Sequence, residues 1–301
     1  MSEDTCKSSR IIFFMQKQRL PGWLKKKTDL RNTRSLKTMF RALRLHTVCE
    51  SAHCPNISEC FASGHATFMI LGDICTRSCG FCAVKKGTPC DVLASEPQSV
   101  AMAVKKLGLK YVVITSVSRD DIEDYGASGF ARTISAVRSV SSSKIEVLTP
   151  DFRGDRCAIE TVVQACPDVF NHNMETVPRL YSAVRPQASY VNSLGLLRMV
   201  KEIKSSIYTK SGLMLGLGEK EEEVEEVMRS LRSVGCDILT LGQYLKPSRD
   251  HYPVRDYISP QKFDSYRQMA ESMGFAFVAS APYVRSSYRA YEGFKQLVAK
   301  S

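Results

Sequence analysis

The 301-residue chain has no apolar run long enough to cross a membrane. A spanning helix needs about 20 consecutive apolar residues, and no segment of this sequence approaches that length. Near the N-terminus, the apolar run 11–15 follows Lys7 and Arg10. This run is shorter than the core of about 7 residues in a secretory signal, and it lacks a clear cleavage site. We therefore expect neither a transmembrane helix nor a signal peptide.

The basic N-terminal part of the chain has few aromatic side chains. Residues 1–45 contain twelve Lys and Arg but only three Asp and Glu, which accounts for most of the net charge of +11. Such a run attracts polyanions or an acidic protein partner, although solvated charge without a partner is its commonest explanation. Binding of single-stranded nucleic acid also needs aromatic stacking platforms, which Trp23 and Phe40 alone do not provide. We expect no nucleic-acid partner and no membrane partner.

The sequence also lacks the paired halves of a structural zinc site. Cys75, Cys79 and Cys82 form a C-x3-C-x2-C pattern directly after the apolar segment 68–71. A structural zinc ion takes four ligands, commonly from two short pairs, and no second pair stands at the expected distance. Three thiolates suit a four-iron cluster, because they hold three irons and leave the fourth open to a small molecule. We therefore favour an iron–sulfur cluster over zinc at these cysteines.

A second cysteine triplet, Cys49, Cys54 and Cys60, lies just upstream with C-x4-C-x5-C spacing. Six of the eleven cysteines thus fall within residues 49–82, which chance explains poorly. Taken alone, this triplet fits a cluster, a disulfide staple or a zinc site that His53 completes. Clustering in ligand-like triplets, with the other cysteines scattered, favours a reducing compartment, and we expect a cytoplasmic protein.

Downstream of the cysteines, short apolar segments alternate with segments of helical spacing. The predicted strands are 66–72, 111–117, 145–149, 168–172, 211–217 and 237–243. The predicted helices are 98–107, 129–140, 156–166, 177–184, 194–206 and 219–233. Six strand–helix units predict a parallel sheet, whose functional residues lie at the C-terminal ends of the strands. The first cysteine of the C-x3-C-x2-C pattern follows the first predicted strand, as this rule requires.

The two triplets together resemble the lipoyl synthases of the radical S-adenosylmethionine superfamily. The C-x3-C-x-aromatic-C pattern marks the superfamily, and the C-x4-C-x5-C pattern marks this branch. The resemblance extends from about residue 21 to residue 288. Four further stretches match the family: 148–155, 171–181, 211–219 and the R-S-S-Y motif at 285–288.

The resemblance implies an α/β fold, a partial (β/α)6 TIM-like barrel with N-terminal and C-terminal extensions that opens laterally onto its substrate. It divides the chain into four parts. These are a basic N-terminal extension at 1–45, an auxiliary cluster-binding segment at 46–65, a radical S-adenosylmethionine barrel core at 66–245 and a C-terminal extension at 246–301 with the R-S-S-Y motif.

The resemblance also implies two 4Fe–4S clusters and S-adenosylmethionine as cofactors. One cluster would be bound by Cys75, Cys79 and Cys82, and would donate an electron that cleaves S-adenosylmethionine to a 5′-deoxyadenosyl radical. The auxiliary cluster would be bound by Cys49, Cys54 and Cys60 and consumed as a sulfur source. The family uses a serine of the R-S-S-Y motif as its fourth ligand, for which we favour Ser286, closely followed by Ser287. Alternatively, this motif caps the helix that follows.

The loops after the second, third and fourth predicted strands bind S-adenosylmethionine by resemblance. Its charged amino acid part and its ribose need polar partners, and its adenine needs an apolar shelf. The candidate contacts are Ser116, Asn171, Glu175 and Arg185 for the polar groups and Phe81 for the adenine. A purely structural role explains each of these residues equally well. We assign His172 a hydrogen-bonded role in the core and no role in catalysis.

Four positions depart from the family's usual residues. Ser118 stands where an aspartate is expected, and Tyr125, Gln187 and Ala281 stand where glycine is common. The first two weaken the expectation of cofactor contacts in their loop. The other two affect backbone-sensitive positions but remove no ligand.

The function implied by the resemblance is insertion of two sulfur atoms at carbons 6 and 8 of a protein-bound octanoyl chain. The implied partners are octanoylated lipoyl carrier domains, namely the E2 subunits of 2-oxoacid dehydrogenases and the carrier protein of glycine cleavage, and an electron donor such as ferredoxin or flavodoxin. One alternative is another radical enzyme that inserts sulfur into a different substrate. A second alternative is a zinc-stabilised nucleic-acid-binding module, which would contain no iron and bind in a salt-sensitive manner.

Overall fold

The computed structural model describes residues 19–26, 33–63 and 65–300. The apolar run at 11–15 and residues 27–32 of the basic segment lie outside the described residues. Among the helices of the described part, none is both long enough and apolar enough to span a membrane.

The centre of the fold is an eight-stranded, almost wholly parallel sheet. The ten strands of the described residues are β1 His46–Thr47, β2 Thr67–Ile70, β3 Ile74–Cys75, β4 Lys85–Lys86, β5 Tyr111–Ser116, β6 Lys144–Leu148, β7 Val169–Asn171, β8 Tyr208–Leu215, β9 Ile238–Gln243 and β10 Phe277–Ser280. The sheet order is β1-β2-β5-β6-β7-β8-β9-β10, and the small β3–β4 pair lies outside it. Only β1 runs antiparallel to its neighbour, β2.

Helices connect and cover the parallel strands. The helices of the described residues are α1 Arg34–Ala42, α2 Val48–Ser51, α3 Ile57–Ala62, α4 Glu96–Leu107, α5 Ala127–Val140, α6 Arg156–Gln164, α7 Tyr181–Val184, α8 Tyr190–Ile203, α9 Glu221–Ser233, α10 Pro260–Ser272 and α11 Ala290–Lys300. Side-chain caps stabilise the N-termini of some of these helices. At α6 the Asp155 side chain accepts a hydrogen bond from the amide of Ala158, and at α8 the Ser189 side chain accepts one from the amide of Asn192.

The partial (β/α)6 TIM-like barrel expected from the sequence is confirmed, with β2 and β5 to β9 as its six strands. The structure adds a unit that the sequence reading missed, because α10 and β10 extend the sheet beyond the predicted strands. β10 pairs in parallel with β9, but its residues alternate between partly buried and buried, so it lacks the continuously buried run of the equally short β2. β1 was missed because two residues are too few to carry a hydrophobic pattern.

The last helix closes the end of the barrel where the strands begin. Phe294 of α11 is buried against Tyr111, the first residue of β5, with ring centroids 5.6 Å apart. It also packs at 6.2 Å against Tyr208, the first residue of β8. The cysteine loop and the loops that follow β5, β6 and β7 lie at the opposite end of the barrel, where the strands end.

Candidate functional site

The loop that carries Cys75, Cys79 and Cys82 begins at the end of β3. All three are free thiols and only partly exposed. Burial raises the pKa of Cys79, and it raises the pKa of Cys82 to about 12, with the charges of neighbouring cysteines adding to both effects. Without a metal these two side chains are therefore neutral thiols, and iron binding must displace their protons.

Buried ion pairs hold the same loop against its neighbours. The Arg77 side chain is 3% exposed and donates from Nε to Asp120 Oδ2 at 2.7 Å and from Nη2 to Asp151 Oδ1 at 2.7 Å. Burial alone would raise the pKa of Asp151, but the Arg77 guanidinium holds it below its ordinary value. Because Asp120 follows β5 and Asp151 follows β6, Arg77 fixes the cysteine loop to two strand ends at once.

Two of the departures from the family pattern have visible structural consequences. Tyr125 has a φ of 54°, in the left-handed region that glycine adopts most easily. Gln187 Oε1 accepts hydrogen bonds from the amide of Ser78 at 2.6 Å and from its hydroxyl at 3.0 Å. Gln187 therefore supports the cysteine loop with a side chain that glycine does not have.

Several of the residues expected to contact S-adenosylmethionine present unsatisfied polar atoms. The Oγ of Ser116, at the end of β5, and the Oδ1 of Asn171, at the end of β7, are buried and have no hydrogen-bond partner among the described residues. The same holds for Nε of Arg185. Buried polar atoms are normally paired, so these three atoms are suited to a polar ligand at the strand ends.

Arg185 and Glu175 form the charged part of this region. Arg185 donates from Nη1 to the carbonyls of Asn173 at 3.0 Å and Met174 at 3.1 Å. Burial raises the pKa of Glu175, and the charge of Arg185 opposes that rise. Glu175 also has a positive φ of 67°, which turns the chain at this point. Phe81 is partly buried and packs against the core.

His172 is a structural residue, as expected from the sequence. Its ring nitrogens pair with the carbonyl of Thr149 and the hydroxyl of Ser193, both at 2.9 Å. Burial lowers its pKa to about 4. A neutral ring held at both nitrogens is not available as a base.

The second triplet lies in the wall of a cavity of about 230 Å³. Cys49 lies in α2, Cys60 lies in α3 and Cys54 lies between the two helices, and all three thiols are free. Burial raises the pKa of Cys49 to about 12 and that of Cys60 to about 11. The wall of this cavity includes the three cysteines together with Arg285 and Ser287 of the R-S-S-Y motif.

The two serines of the motif have different surroundings. Ser287 lines the cavity, whereas the Ser286 hydroxyl accepts a hydrogen bond from Asn173 Nδ2 at 3.3 Å. Neither serine takes the N-cap position of α11, because that helix begins at Ala290 and Arg289 precedes it. Capping of this helix therefore does not explain the motif.

The zinc alternative finds little support in the side chains around the cavity. His53 is exposed and adopts a positive φ of 50°. Within the described ranges, no three His, Cys, Asp or Glu side chains converge on a site for one metal ion. Thiolates that hold a cubane bind different irons, so they need not converge on a single point.

A buried polar network in the barrel was not anticipated from the sequence. Lys210 Nζ donates to Glu146 at 2.9 Å, Tyr111 donates to it at 2.6 Å, and Asn171 Nδ2 donates at 2.9 Å. The side chains of Lys210 and Glu146 are 4% and 1% exposed. The sequence offered only part of this signal, because Glu146 lies within the predicted strand 145–149, whereas Lys210 stands directly before the predicted strand 211–217 and is placed inside β8 by the structure.

Comparison with known proteins agrees with this geometry. Residues 69–231 match the model of the radical SAM superfamily, and residues 6–54 match that of the N-terminal domain of lipoyl synthase. The lipoyl synthase of Rubrobacter xylanophilus is 57% identical over 274 residues, covering 90% of this chain and 85% of the relative. That of Caldicellulosiruptor saccharolyticus is 53% identical over 285 residues, covering 93% and 99%.

Solved structures support the fold. Methylornithine synthase superimposes with a TM-score of 0.53 at 14% identity, covering 89% of this chain and 87% of that one. HydG, an FeFe-hydrogenase maturase, gives a TM-score of 0.56 at 13% identity, covering 87% and 59%. At such low identity these likenesses bear on architecture alone.

A partial barrel with a three-cysteine loop at its strand ends defines a radical S-adenosylmethionine enzyme. Within that superfamily, the chain belongs to the lipoyl synthase family, as its identity to curated members over nine-tenths of its length shows. It is a sulfur-inserting enzyme whose cofactors are S-adenosylmethionine and two 4Fe–4S clusters. Neither a zinc-stabilised nucleic-acid-binding module nor a sulfur-inserting enzyme of another family is favoured.

Proposed function

We propose that this chain converts an octanoyl group, amide-linked to a lysine of a carrier domain, into a lipoyl group by inserting sulfur at carbons 6 and 8. The observation that carries this proposal is a hydrogen-bonded link between the strand-end region and the motif beside the auxiliary triplet. Asn173 Nδ2 donates to Glu175 Oε1 at 3.0 Å and to the hydroxyl of Ser286 at 3.3 Å, and Ser287 and the three auxiliary cysteines line one cavity. A substrate chain lying between the triplets would meet a radical source and a sulfur source.

At the strand ends, Cys75, Cys79 and Cys82 would hold the first cluster, and Arg77 keeps their loop in place through Asp120 and Asp151. When bound, this cluster and S-adenosylmethionine supply a 5′-deoxyadenosyl radical that removes hydrogen from the acyl chain. The chain's own part is to orient the cofactor. We assign this role to the unpaired polar atoms of Ser116, Asn171 and Arg185, together with Glu175 and the ring of Phe81.

At the cavity, Cys49, Cys54 and Cys60 would hold the auxiliary cluster, which supplies the sulfur. The fourth ligand is a serine of the R-S-S-Y motif. The lining of the cavity supports Ser287 better than our first choice, Ser286, whose hydroxyl is engaged by Asn173. Oxygen is a poor partner for a soft cluster, so a serine ligand would leave readily when sulfur is released.

The carrier partners in this proposal are the E2 subunits of 2-oxoacid dehydrogenases and the carrier protein of glycine cleavage, with a ferredoxin or flavodoxin as electron donor. We place the protein in the cytoplasm, since free thiols in both triplets require reducing conditions. The division into a segment at 46–65, a core at 66–245 and extensions on either side is part of the same proposal.

The test is to measure iron and acid-labile sulfide per chain after anaerobic reconstitution. The parent should bind about eight irons, and Cys75→Ala/Cys79→Ala/Cys82→Ala and Cys49→Ala/Cys54→Ala/Cys60→Ala should each bind about four. With an octanoylated carrier domain, only the parent should form the lipoyl group, while the second variant should still cleave S-adenosylmethionine. Zinc without iron, or sulfur insertion by the second variant, would contradict the proposal.

A further inference from the structure

Glu59 connects the auxiliary cysteines to the C-terminal motif. It lies in α3, directly before Cys60, and its side chain is 38% exposed. Glu59 Oε1 accepts a hydrogen bond from the hydroxyl of Tyr288 at 2.7 Å, and Oε2 accepts one from Lys26 Nζ at 2.8 Å. Arg289 Nη2 approaches Oε1 at 3.5 Å. One carboxylate thus joins three segments that are far apart in the sequence.

A second set of contacts joins the same three segments. Lys26 Nζ also donates to Asn56 Oδ1 at 2.8 Å, and Asn56 Nδ2 donates to the carbonyl of Tyr283 at 2.8 Å. The Lys26 ammonium lies 5.2 Å from the ring centroid of Tyr283 and 5.9 Å from that of Tyr288. We call this set the Glu59 clasp: Lys26, Asn56, Glu59, Tyr283, Tyr288 and Arg289.

The clasp includes residues on both sides of Ser287, the serine that lines the cavity. Tyr283 stands four residues before Ser287, and Tyr288 directly follows it. On the other side of the clasp, Asn56 and Glu59 stand between Cys54 and Cys60. Members of the clasp and the auxiliary cysteines line the same cavity. The distance between the Ser287 backbone and α3 is therefore set by the clasp.

The Glu59 clasp matters because an oxygen ligand contributes little affinity for a cluster iron by itself. A serine oxygen is a harder ligand than the thiolates around it and binds a cluster iron less firmly. Ligands of this kind depend on neighbouring groups that hold them in position, and loss of those groups typically weakens metal binding. A half-buried ammonium, a carboxylate and a phenol are well suited to that task at a partly exposed cavity wall.

We propose that Glu59 is a positioning residue for the auxiliary cluster: through Tyr288 and Lys26 it holds Ser287 against the three thiolates and determines how long the cluster stays complete. The inference rests on the proposed function, in which these residues bind a sulfur-donating cluster. Loss of the clasp should free the iron that has no thiolate ligand before it affects the other three.

The experiment uses the full chain carrying Cys75→Ala/Cys79→Ala/Cys82→Ala, so that all bound iron belongs to the auxiliary site. After reconstitution, the rate of iron removal by a chelator is compared among this parent, Glu59→Ala and Tyr288→Phe. We expect removal to be about tenfold faster in Glu59→Ala and less accelerated in Tyr288→Phe, which loses one hydrogen bond. The double variant should match Glu59→Ala, because both changes remove the same contact.

Electron paramagnetic resonance distinguishes positioning from general loosening of the fold. Loss of the serine-bound ferrous iron leaves a three-iron cluster, and one-electron oxidation by added ferricyanide converts it to the state with the characteristic signal. The Glu59→Ala preparation should therefore accumulate this three-iron signal after oxidation, since the serine-bound iron leaves first. The matched control is Glu50→Gln, which alters a carboxylate beside Cys49 that pairs with Lys37 and not with the clasp. This control should release iron at the parental rate.

Equal release rates in Glu59→Ala and its parent would overturn the inference, as would loss of all four irons together without a three-iron signal. Acceleration of the same size in Glu50→Gln would also overturn it. A parent that holds no iron on the Cys49, Cys54 and Cys60 triplet would instead contradict the proposed function itself, and the inference with it.

Discussion

At the scale of single residues, burial decides which groups of the site can change their charge. His172 sits between Asn171 and Asn173, and its ring is buried and paired at both nitrogens. Its neighbours Asn171 and Asn173 instead each keep a buried oxygen without a partner among the described residues. In this short stretch, the ionisable residue is structural and the amides are available to a ligand.

The pKa of His172 makes a testable contribution to stability. In the unfolded chain its pKa returns from about 4 to about 6.5, so the unfolded state binds more protons between these values. The stabilisation is complete above pH 6.5 and is lost as the pH falls. Between pH 7 and pH 5, the free energy of unfolding of the cluster-free parent should fall by about 2 kcal/mol more than that of the cluster-free His172→Gln variant.

Urea denaturation at the two pH values measures this difference. His53→Gln, which alters an exposed histidine, serves as the control and should retain the parental pH dependence. If the free energy of unfolding of His172→Gln fell as steeply with pH as that of the parent, groups other than His172 would be responsible for the acid sensitivity.

At the scale of elements, the cysteine loop is held by neighbours that the chain supplies from distant positions. Arg77 lies in the loop itself, but Asp120, Asp151 and Gln187 belong to segments that follow β5, β6 and α7. The amide of Gly80 adds a hydrogen bond to the carbonyl of Val184 at 2.8 Å. These contacts restrict the conformation of the loop, which lowers the conformational entropy that is lost when a cluster binds.

Replacement of Gln187 tests the contribution of one of these supports. Gln187→Ala removes two acceptor contacts to Ser78, so the free energy of unfolding should fall by about 1 kcal/mol. Chelators should also remove iron faster from the Cys75, Cys79 and Cys82 site, with the auxiliary site unaffected. This is measured in the full chain carrying either triple cysteine variant.

Gln261→Ala, at an exposed position of α10, is the control for the loss of a glutamine. Its iron release should equal that of the parent at both sites. Faster release from both sites in Gln187→Ala would argue for a general effect on the barrel.

At the scale of the whole molecule, α11 and the segment before it complete the barrel. α11 packs Phe294 and Leu297 on the first residues of the strands, and the R-S-S-Y motif just before it reaches the auxiliary cavity. A second cavity of about 160 Å³, lined by Glu146 and Lys210 of the buried network, lies beneath the same helix. The C-terminal part of the chain therefore shields the buried charges and places Ser287 in the wall of the auxiliary cavity.

Truncation of Phe294 should weaken this closure. The side chain is 7% exposed and contacts two aromatic rings of the sheet, so Phe294→Ala should lower the free energy of unfolding by about 3–5 kcal/mol. Val298→Ala changes a side chain that is 51% exposed in the same helix and should change stability by less than about 0.5 kcal/mol. Denaturation of both cluster-free variants checks the prediction, and equal effects would contradict it.

Local patterns in the sequence were sufficient for much of the architecture. Each of the six predicted strands and each of the six predicted helices has a counterpart in the structure. Buried parallel strands and amphipathic helices carry strong hydrophobic patterns, which makes them predictable from sequence. The cysteine spacings indicated two ligand sets, since each triplet groups three thiols within a short segment of the chain. The last strand, β10, was not predicted because its residues alternate between partly buried and buried and lack the continuously buried run of the equally short β2.

What the sequence by itself determined is the list of chemically capable residues and the order of the elements that carry them. The tertiary structure decided which of them meet. It separated Ser287 at the cavity from Ser286 beside Asn173, paired Glu146 with Lys210, and brought Lys26 and Tyr288 to Glu59. These contacts join residues far apart in the chain, so they arise only when packing of the whole barrel fixes their positions.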